Sequence, residues 1–215
     1  MLFSAIILIV ILLFSAILHE IAHGFVADRL GDPTARLMGR LSLNPRKHID
    51  PFMSILLPLM LIVSGSPVIF GAAKPVPVDP FNLKEGRKDL ALVSISGPLT
   101  NVIIAIIGAT IVKLILYFSV NPGINPITPF LTSFFYSVVQ INLLLAIFNM
   151  LPIPPLDGSK VFALLLPEKK ANSYLAMGSL GLFVLFFLLI FPIGGFSISD
   201  VIFRLLIFSQ QLLGL

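Results

Sequence analysis

The run MLFSAIILIVILLFSAILHEIAHGFV, residues 1–26, decides the fold. Met1–Leu18 carries no charge, and about 20 such residues coiled as an α-helix cross the hydrocarbon core of a bilayer. The same run then sets His19, Glu20 and His23 inside its apolar pattern. A charge near mid-bilayer costs at least ~2.5 to 3.5 kcal/mol on insertion scales, so Glu20 marks a position with a task. One stretch therefore predicts both a membrane helix and a reactive site on it.

The rest of the chain extends the first half of that reading. Of its 215 residues 57% are hydrophobic and 11% charged, which excludes a soluble globular domain, where about 25% would be charged. Further charge-free stretches run over Pro51–Ala73, Leu90–Val112, Leu114–Leu156 and Ala171–Ser199. The expectation is an all-α polytopic membrane protein with about five to six transmembrane helices, a three-helix catalytic core and a re-entrant or interfacial segment. It is read as a single membrane-embedded domain over 1–215, with the core at about 1–160 and a C-terminal helix pair at about 171–215. The net charge of +4 sits in short loops without aromatic interleaving, so nucleic acid is not an expected partner and the lipid bilayer is. The absence of cysteine excludes disulfides, thiolate catalysis and thiolate-held metals. Residues 1–18 lack a basic leader and a small-residue cleavage site, and are expected to stay as a helix.

Charge asymmetry threads the spans. Arg29, Arg36, Arg40, Arg46 and Lys47 put the loop after the first helix on the cytoplasmic side, and Lys74, Lys84, Arg87 and Lys88 put a second stretch there too. Pro51–Phe70 lies between them, so it is expected to re-enter or lie shallow, although its length also permits a crossing. Leu90–Tyr117 then runs outward, with Lys113 about 35 Å along and able to snorkel to the far interface. An uncharged outer loop, Ser119–Pro129, follows, Phe130–Asn149 returns, and Tyr174–Phe191 and Val201–Leu213 form the last pair. The first and third of these long spans thereby end at the same, cytoplasmic leaflet. A prokaryotic plasma membrane is the expected location.

His19-Glu20-Ile21-Ala22-His23 is H-E-x-x-H. Histidines at i and i+4 share one helix face and can meet one Zn²⁺, while the glutamate can take a proton from the attacking water. With the chain's 3 His and 10 Asp and Glu, about 0.002 copies are expected by chance, so the motif is not background. A catalytic zinc needs a third protein ligand. His48, the remaining histidine, lies in the basic loop, which leaves the acids Asp28, Asp32, Asp50, Asp79, Glu85, Asp89, Asp157, Glu168 and Asp200. Only Asp157 is embedded in an apolar setting at the end of a span that the threading brings to the depth of His19; capping a short helix over Ser159–Leu166 is its other use. A transporter using the His/Asp cluster as a transit site is the alternative function, but transporters often pair broken helices, and one clear break, at Pro152, Pro154 and Pro155, is present.

H-E-x-x-H at 19–23 together with Asn149-Met-Leu-Pro-Ile-Pro-Pro-Leu-Asp157-Gly158 resembles the N-x-x-P-x-P-x-L-D-G signature of the site-2 protease family of intramembrane zinc metalloproteases. Gly97-Pro-Leu-Thr-Asn101 resembles the G-x-x-x-N element of that family's intervening helix. The likeness covers about residues 15–160 and implies a short form without a PDZ domain. It implies His19, His23 and Asp157 as Zn²⁺ ligands, Glu20 as general base, Asn149 facing the scissile carbonyl, and membrane proteins with a transmembrane helix as substrates, as in regulated intramembrane proteolysis. On chemistry alone Asn149 serves equally as a neutral oxyanion donor or an interhelical hydrogen-bonding group. Gly97 and Asn101 lie about one turn apart and are read first as packing positions, second as substrate contacts. His48 with Asp50 offers a weaker second metal pair, and Phe70–Val78 either adds a strand to an unwound substrate or is a plain interfacial loop.

Overall fold

A computed structural model describes residues 2–64, 74–119, 127–192, 194–195 and 197–215. Among these every regular element is helical. The chain divides into two compact units, Met1–Thr100 and Asn101–Leu215.

The first unit starts with α1, Leu2–Leu30, whose 29 residues rise about 43 Å, longer than a bilayer's apolar core. Phe3, Ile6, Val10 and Phe14 are exposed along it, as a lipid-facing surface requires. The helix continues four residues past Val26 and stops at Gly31, whose φ of +118° suits glycine. Asp32, fully buried, then accepts from Thr34 N, Thr34 Oγ1, Asp79 N and Asn82 Nδ2. Those donors hold its carboxyl below the usual range against the opposing effect of burial, and they tie two loops to the end of α1. A short helix α2, Thr34–Leu37, and a 3₁₀ turn at Pro45–Lys47 capped by Asn44 Oδ1 shape the basic loop. Pro51–Leu56 is a π-helical stretch that leads into α3, Leu57–Val63. These 13 residues reach about 20 Å, short of a crossing. The rest of the segment expected to re-enter, 65–70, lies outside the described residues. The unit's core joins Ala27, Leu83 and Val93 with Val26, Leu30, Val78 and Leu90.

Helix α4, Arg87–Phe118, has 32 residues, close to the expected span, and supplies residues to both units. Within the second unit, α5, Ile127–Asn149, packs on the C-terminal part of α4 through Ala105, Ala109, Val139 and Leu143. Gly108 belongs to this seam, since a Cβ there would meet Val139 Cγ2 at 3.0 Å, and small residues at such spacing let membrane helices approach. Most of the expected outer loop, 120–126, lies outside the described residues.

After α5 come the short helices α6, Asp157–Phe162, and α7, Glu168–Leu175, then α8, Gly178–Ile190, and α9, Ile198–Leu212. Leu206, Leu213 and Leu215 close over the α4–α5 seam, and Lys113 points its ammonium at the last turn of α9 beside Gly214. That end of a helix carries partial negative charge.

Among the described residues three helices are long and apolar enough to cross a membrane: Phe3–Leu30, Arg87–Phe118 and Ile127–Asn149. A fourth is added if Glu168–Leu175 and Leu180–Ile190, bent by 72°, count as one span. The expectation of five to six is thus met in part. Helices α8 and α9 have 13 and 15 residues, about 20 and 22 Å, which falls short of the hydrocarbon thickness.

Candidate metal centre

His19 and His23 lie one turn apart on α1, with their Nε2 atoms 3.0 Å apart and their rings perpendicular. Both are buried, at 6% and 9% exposure, inside a helix whose other surface is apolar. The tautomer of the neutral His23 ring follows from its other nitrogen. Nδ1 lies 2.7 Å from the carbonyl oxygen of Val93 on α4, and a carbonyl can only accept, so Nδ1 carries the proton and Nε2 presents a lone pair. The Ser96 hydroxyl donates to the same carbonyl at 2.6 Å. Two nitrogens bound at 2.0 to 2.1 Å to a tetrahedral ion stand about 3.3 Å apart, close to the separation found.

Gly97 is the reason α4 can come so near. A Cβ at that position would lie 2.5 Å from His19 Nε2 and 2.6 Å from Cε1 of both histidines, so no side chain fits. Gly24 does the same on the following turn of α1, against Val76 Cγ1, Leu41 and Ala35. Gly97 is therefore a packing position, and what it packs against is the imidazole pair.

Glu20 is half-buried, and its Oε2 accepts from the backbone N–H of Val76 at 2.7 Å. Val76 belongs to the extended stretch Lys74–Asp79. Lys74 N–H donates to His48 O at 2.7 Å, and Arg40 Nη2 donates to the carbonyls of Lys74 and Pro75. Pro75 and Pro77 have no N–H and those of Lys74 and Val76 are engaged within the chain, so the described part of Phe70–Val78 offers few backbone donors to an added substrate strand; Phe70–Ala73 lie outside the described residues. His48 is fully buried and donates Nε2–H to Ser42 O while its Nδ1 has no hydrogen-bond partner, and among the described residues it forms no three-ligand group with Asp50. Burial lowers its pKa, which keeps the ring neutral.

In the second unit Asp157 opens α6. The cap residue is Leu156, so Asp157 is not the cap. It is 7% exposed, and Lys160 Nζ lies 3.0 Å from its Oδ1. Gly158 follows because a Cβ there would sit 2.2 Å from Met150 O, inside the turn that the prolines open. Tyr174 Oη donates to Pro152 O at 2.7 Å, and Gly181 of α8 lies against Pro154 O, so the C-terminal helices hold that turn. Asn149 donates Nδ2–H to Leu145 O in its own helix at 3.0 Å. Asn101 is fully buried and donates to Asn142 Oδ1 at 2.9 Å, while Asn142 donates to Val138 O.

Of the residues singled out in the sequence, His19 and His23 belong to the first unit and Asp157 to the second, and by residue type the three are donors that a metal ion could use. Two imidazoles and a carboxylate, with a fourth position for water, are a catalytic zinc donor set. Sequence reasoning missed Val93, Ser96, Val76, Arg40, Asn142 and Lys160. Asn142 had a signal, since a polar side chain in an apolar span needs a partner and Asn101 was the available match. The others work through backbone groups or an i+3 pairing that many surface lysines show.

A family profile described as Peptidase family M50 matches residues 7–192. The chain is 38% identical over 192 residues to "Putative zinc metalloprotease YwhC" of Bacillus subtilis (strain 168), covering 88% of this chain and 82% of that protein. It is 32% identical over 178 residues to "Putative zinc metalloprotease Rip2" of Mycobacterium tuberculosis (strain H37Rv), covering 83% of this chain and 63% of Rip2. The chain thus spans under two thirds of Rip2's length. No solved structure matches the chain.

Proposed function

The chain belongs to peptidase family M50, and from that premise we propose that it is an intramembrane zinc endopeptidase which cleaves a peptide bond in or near a transmembrane segment of another membrane protein. The observation that carries the reading is the imidazole pair on an apolar helix, with the His23 lone pair aimed away from Val93 O and towards the Nε2 of His19. His19, His23 and Asp157 hold the zinc, and the donor chemistry of that trio fits it. When bound, zinc lowers the pKa of a water ligand and polarises the scissile carbonyl.

The chain's own groups do the rest. With Oε2 engaged by Val76 N–H, Glu20 has Oε1 to receive the proton of the attacking water. The water oxygen bonds to the carbonyl carbon, the C–N bond breaks, and Glu20 returns the proton to the leaving nitrogen. A new carboxylate and a new amine result. Asn149 keeps one N–H beyond its bond to Leu145 O and serves as a neutral donor to the developing oxyanion. Gly97 and Asn101 act as scaffold. The site works from the cytoplasmic leaflet, to which the two basic stretches of the first unit belong.

The test is purification in detergent, metal analysis, and cleavage of a reconstituted single-span substrate. Wild type should hold about one zinc and cleave; Glu20→Gln should hold zinc and lose at least ~100-fold in kcat. Full turnover by Glu20→Gln, or stoichiometric zinc in a His19→Ala/His23→Ala double variant, would refute the assignment. A transit site would instead let zinc cross sealed vesicles.

A further inference from the structure

We propose that Val76, held by Arg40 and His48, is the positioning residue of the general base: its backbone N–H sets the Glu20 carboxylate so that one oxygen is fixed and the other faces the water. The inference rests on Glu20 acting as that base. The observations form a chain of contacts within the first unit. Arg40 is 8% exposed; its Nη2 spans the carbonyls of Lys74 and Pro75 at 2.9 and 3.2 Å, while its Nε has no hydrogen-bond partner among the described residues. A buried guanidinium is costly unless hydrogen-bonded, so its use on two consecutive carbonyls fixes that stretch firmly. His48 O takes the Lys74 N–H, and His48 is itself fully buried and tied to Ser42 O. The next N–H along, that of Val76, reaches Glu20 Oε2 at 2.7 Å, while the Val76 side chain, 6% exposed, lies in the gap left by Gly24 one turn further along α1.

The arrangement fits its chemistry. A carboxylate with two rotatable side-chain bonds beyond χ1 must be oriented, and a charge-assisted bond from an N–H does so without adding another charge in an apolar helix. The flanking prolines keep the stretch extended and remove competing donors, so Val76 N–H is the sole N–H between Pro75 and Pro77.

The experiment removes that one hydrogen. In the full-length, zinc-loaded protein, the Pro75–Val76 amide is replaced by an ester through incorporation of the α-hydroxy acid of valine, and Val76→Pro is made in parallel, with Val76→Ala as the matched control that loses packing and keeps the N–H. The ester and Val76→Pro should fall about 10- to 100-fold in kcat below Val76→Ala, the range for a misplaced catalytic group, with KM and zinc content unchanged. Arg40→Met should move kcat the same way, and Arg40→Lys should recover part of it. Three results overturn the proposal: an ester variant that turns over as fast as Val76→Ala, one that turns over faster, which would make the stretch a restraint on Glu20, or loss of zinc with the N–H. Failure of the reading beneath it shows differently, as a Glu20→Gln variant that cleaves like wild type.

Discussion

Gly97→Ala adds one methyl group at the closest approach of α4 to the imidazole pair. The new Cβ would start 2.5 Å from His19 Nε2 and 2.6 Å from His23 Cε1, whereas ordinary contact begins near 3.4 Å, so the rings or the helix must give by about 0.9 Å. The rings are not flexible tips. His23 is tied through Nδ1 to Val93 O on the same helix as Gly97, and backing α4 away stretches that 2.7 Å bond. Metal–ligand distances tolerate about 0.2 Å, so if the two rings hold zinc as proposed, a displacement several times larger would take at least one nitrogen off the ion. Zinc affinity should fall by two orders of magnitude or more, as for a lost ligand, while the apolar helices stay inserted. Competition with a fluorescent chelator in detergent measures the affinity, and circular dichroism checks that helix content is kept. Wild-type zinc affinity in Gly97→Ala would refute the reasoning, because it would mean that the rings do not stand against Gly97. Gly97→Ser should behave no better, since Ser begins with the same Cβ.

Other consequences can be measured separately. On the proposed ligand set, Asp157→Asn keeps shape but removes the charge that would offset Zn²⁺, and zinc retention should drop by about 100-fold or more in the same assay. Asn101→Leu or Asn142→Leu each removes the hydrogen bond between the two buried amides and should cost about 1 kcal/mol in detergent unfolding, while the double Leu variant recovers part of it; additive losses would deny the pairing. His48 has its pKa lowered by burial, so the unfolded ring takes a proton first as pH falls below about 6.5 and the basic loop loses stability between there and the folded value, with no contribution above it. Amide exchange of Lys74, corrected for the intrinsic rate, should lose protection between pH 7 and pH 5. Cysteines at 46 and 88 should be labelled from the cytoplasmic side and one at 119 from the opposite side, in a chain that has no cysteine of its own.

The long elements were legible because hydrophobicity alone dictates them. Leu90–Tyr117 was read three residues short at its start and one at its end of Arg87–Phe118, and Phe130–Asn149 differs from Ile127–Asn149 only where Thr128-Pro129 joins the first turn, a position proline tolerates. The C-terminal pair is present as well: Gly178–Ile190 lies within the expected Tyr174–Phe191, starting later because the chain bends after Leu175, and Ile198–Leu212 starts three residues before the expected Val201–Leu213, at the Ser197 cap. The site divides the same way. Side chains with chemistry of their own, His19, Glu20, His23 and Asp157, stand out from an apolar background. Partners that act through a carbonyl or an N–H carry no residue signature: Val93 and Val76 read as ordinary aliphatic residues.

That division has a physical cause. Each reactive group needs a partner to fix its orientation, and soluble enzymes often supply one with a second charged side chain. Inside an apolar helix every added charge must itself be desolvated and paired, at several kcal/mol per ion. Here the partner of His23 is a peptide carbonyl, that of Glu20 a peptide N–H, and Arg40 is spent on two more carbonyls. Peptide groups orient without charge, and they become available where α4 comes close at Gly97 and where prolines free the chain from helix at Lys74–Val78. Side-chain truncation at Val93 or Val76 leaves those partners in place. The positions that expose the design are therefore the glycines that permit approach and the single N–H that an ester or proline deletes.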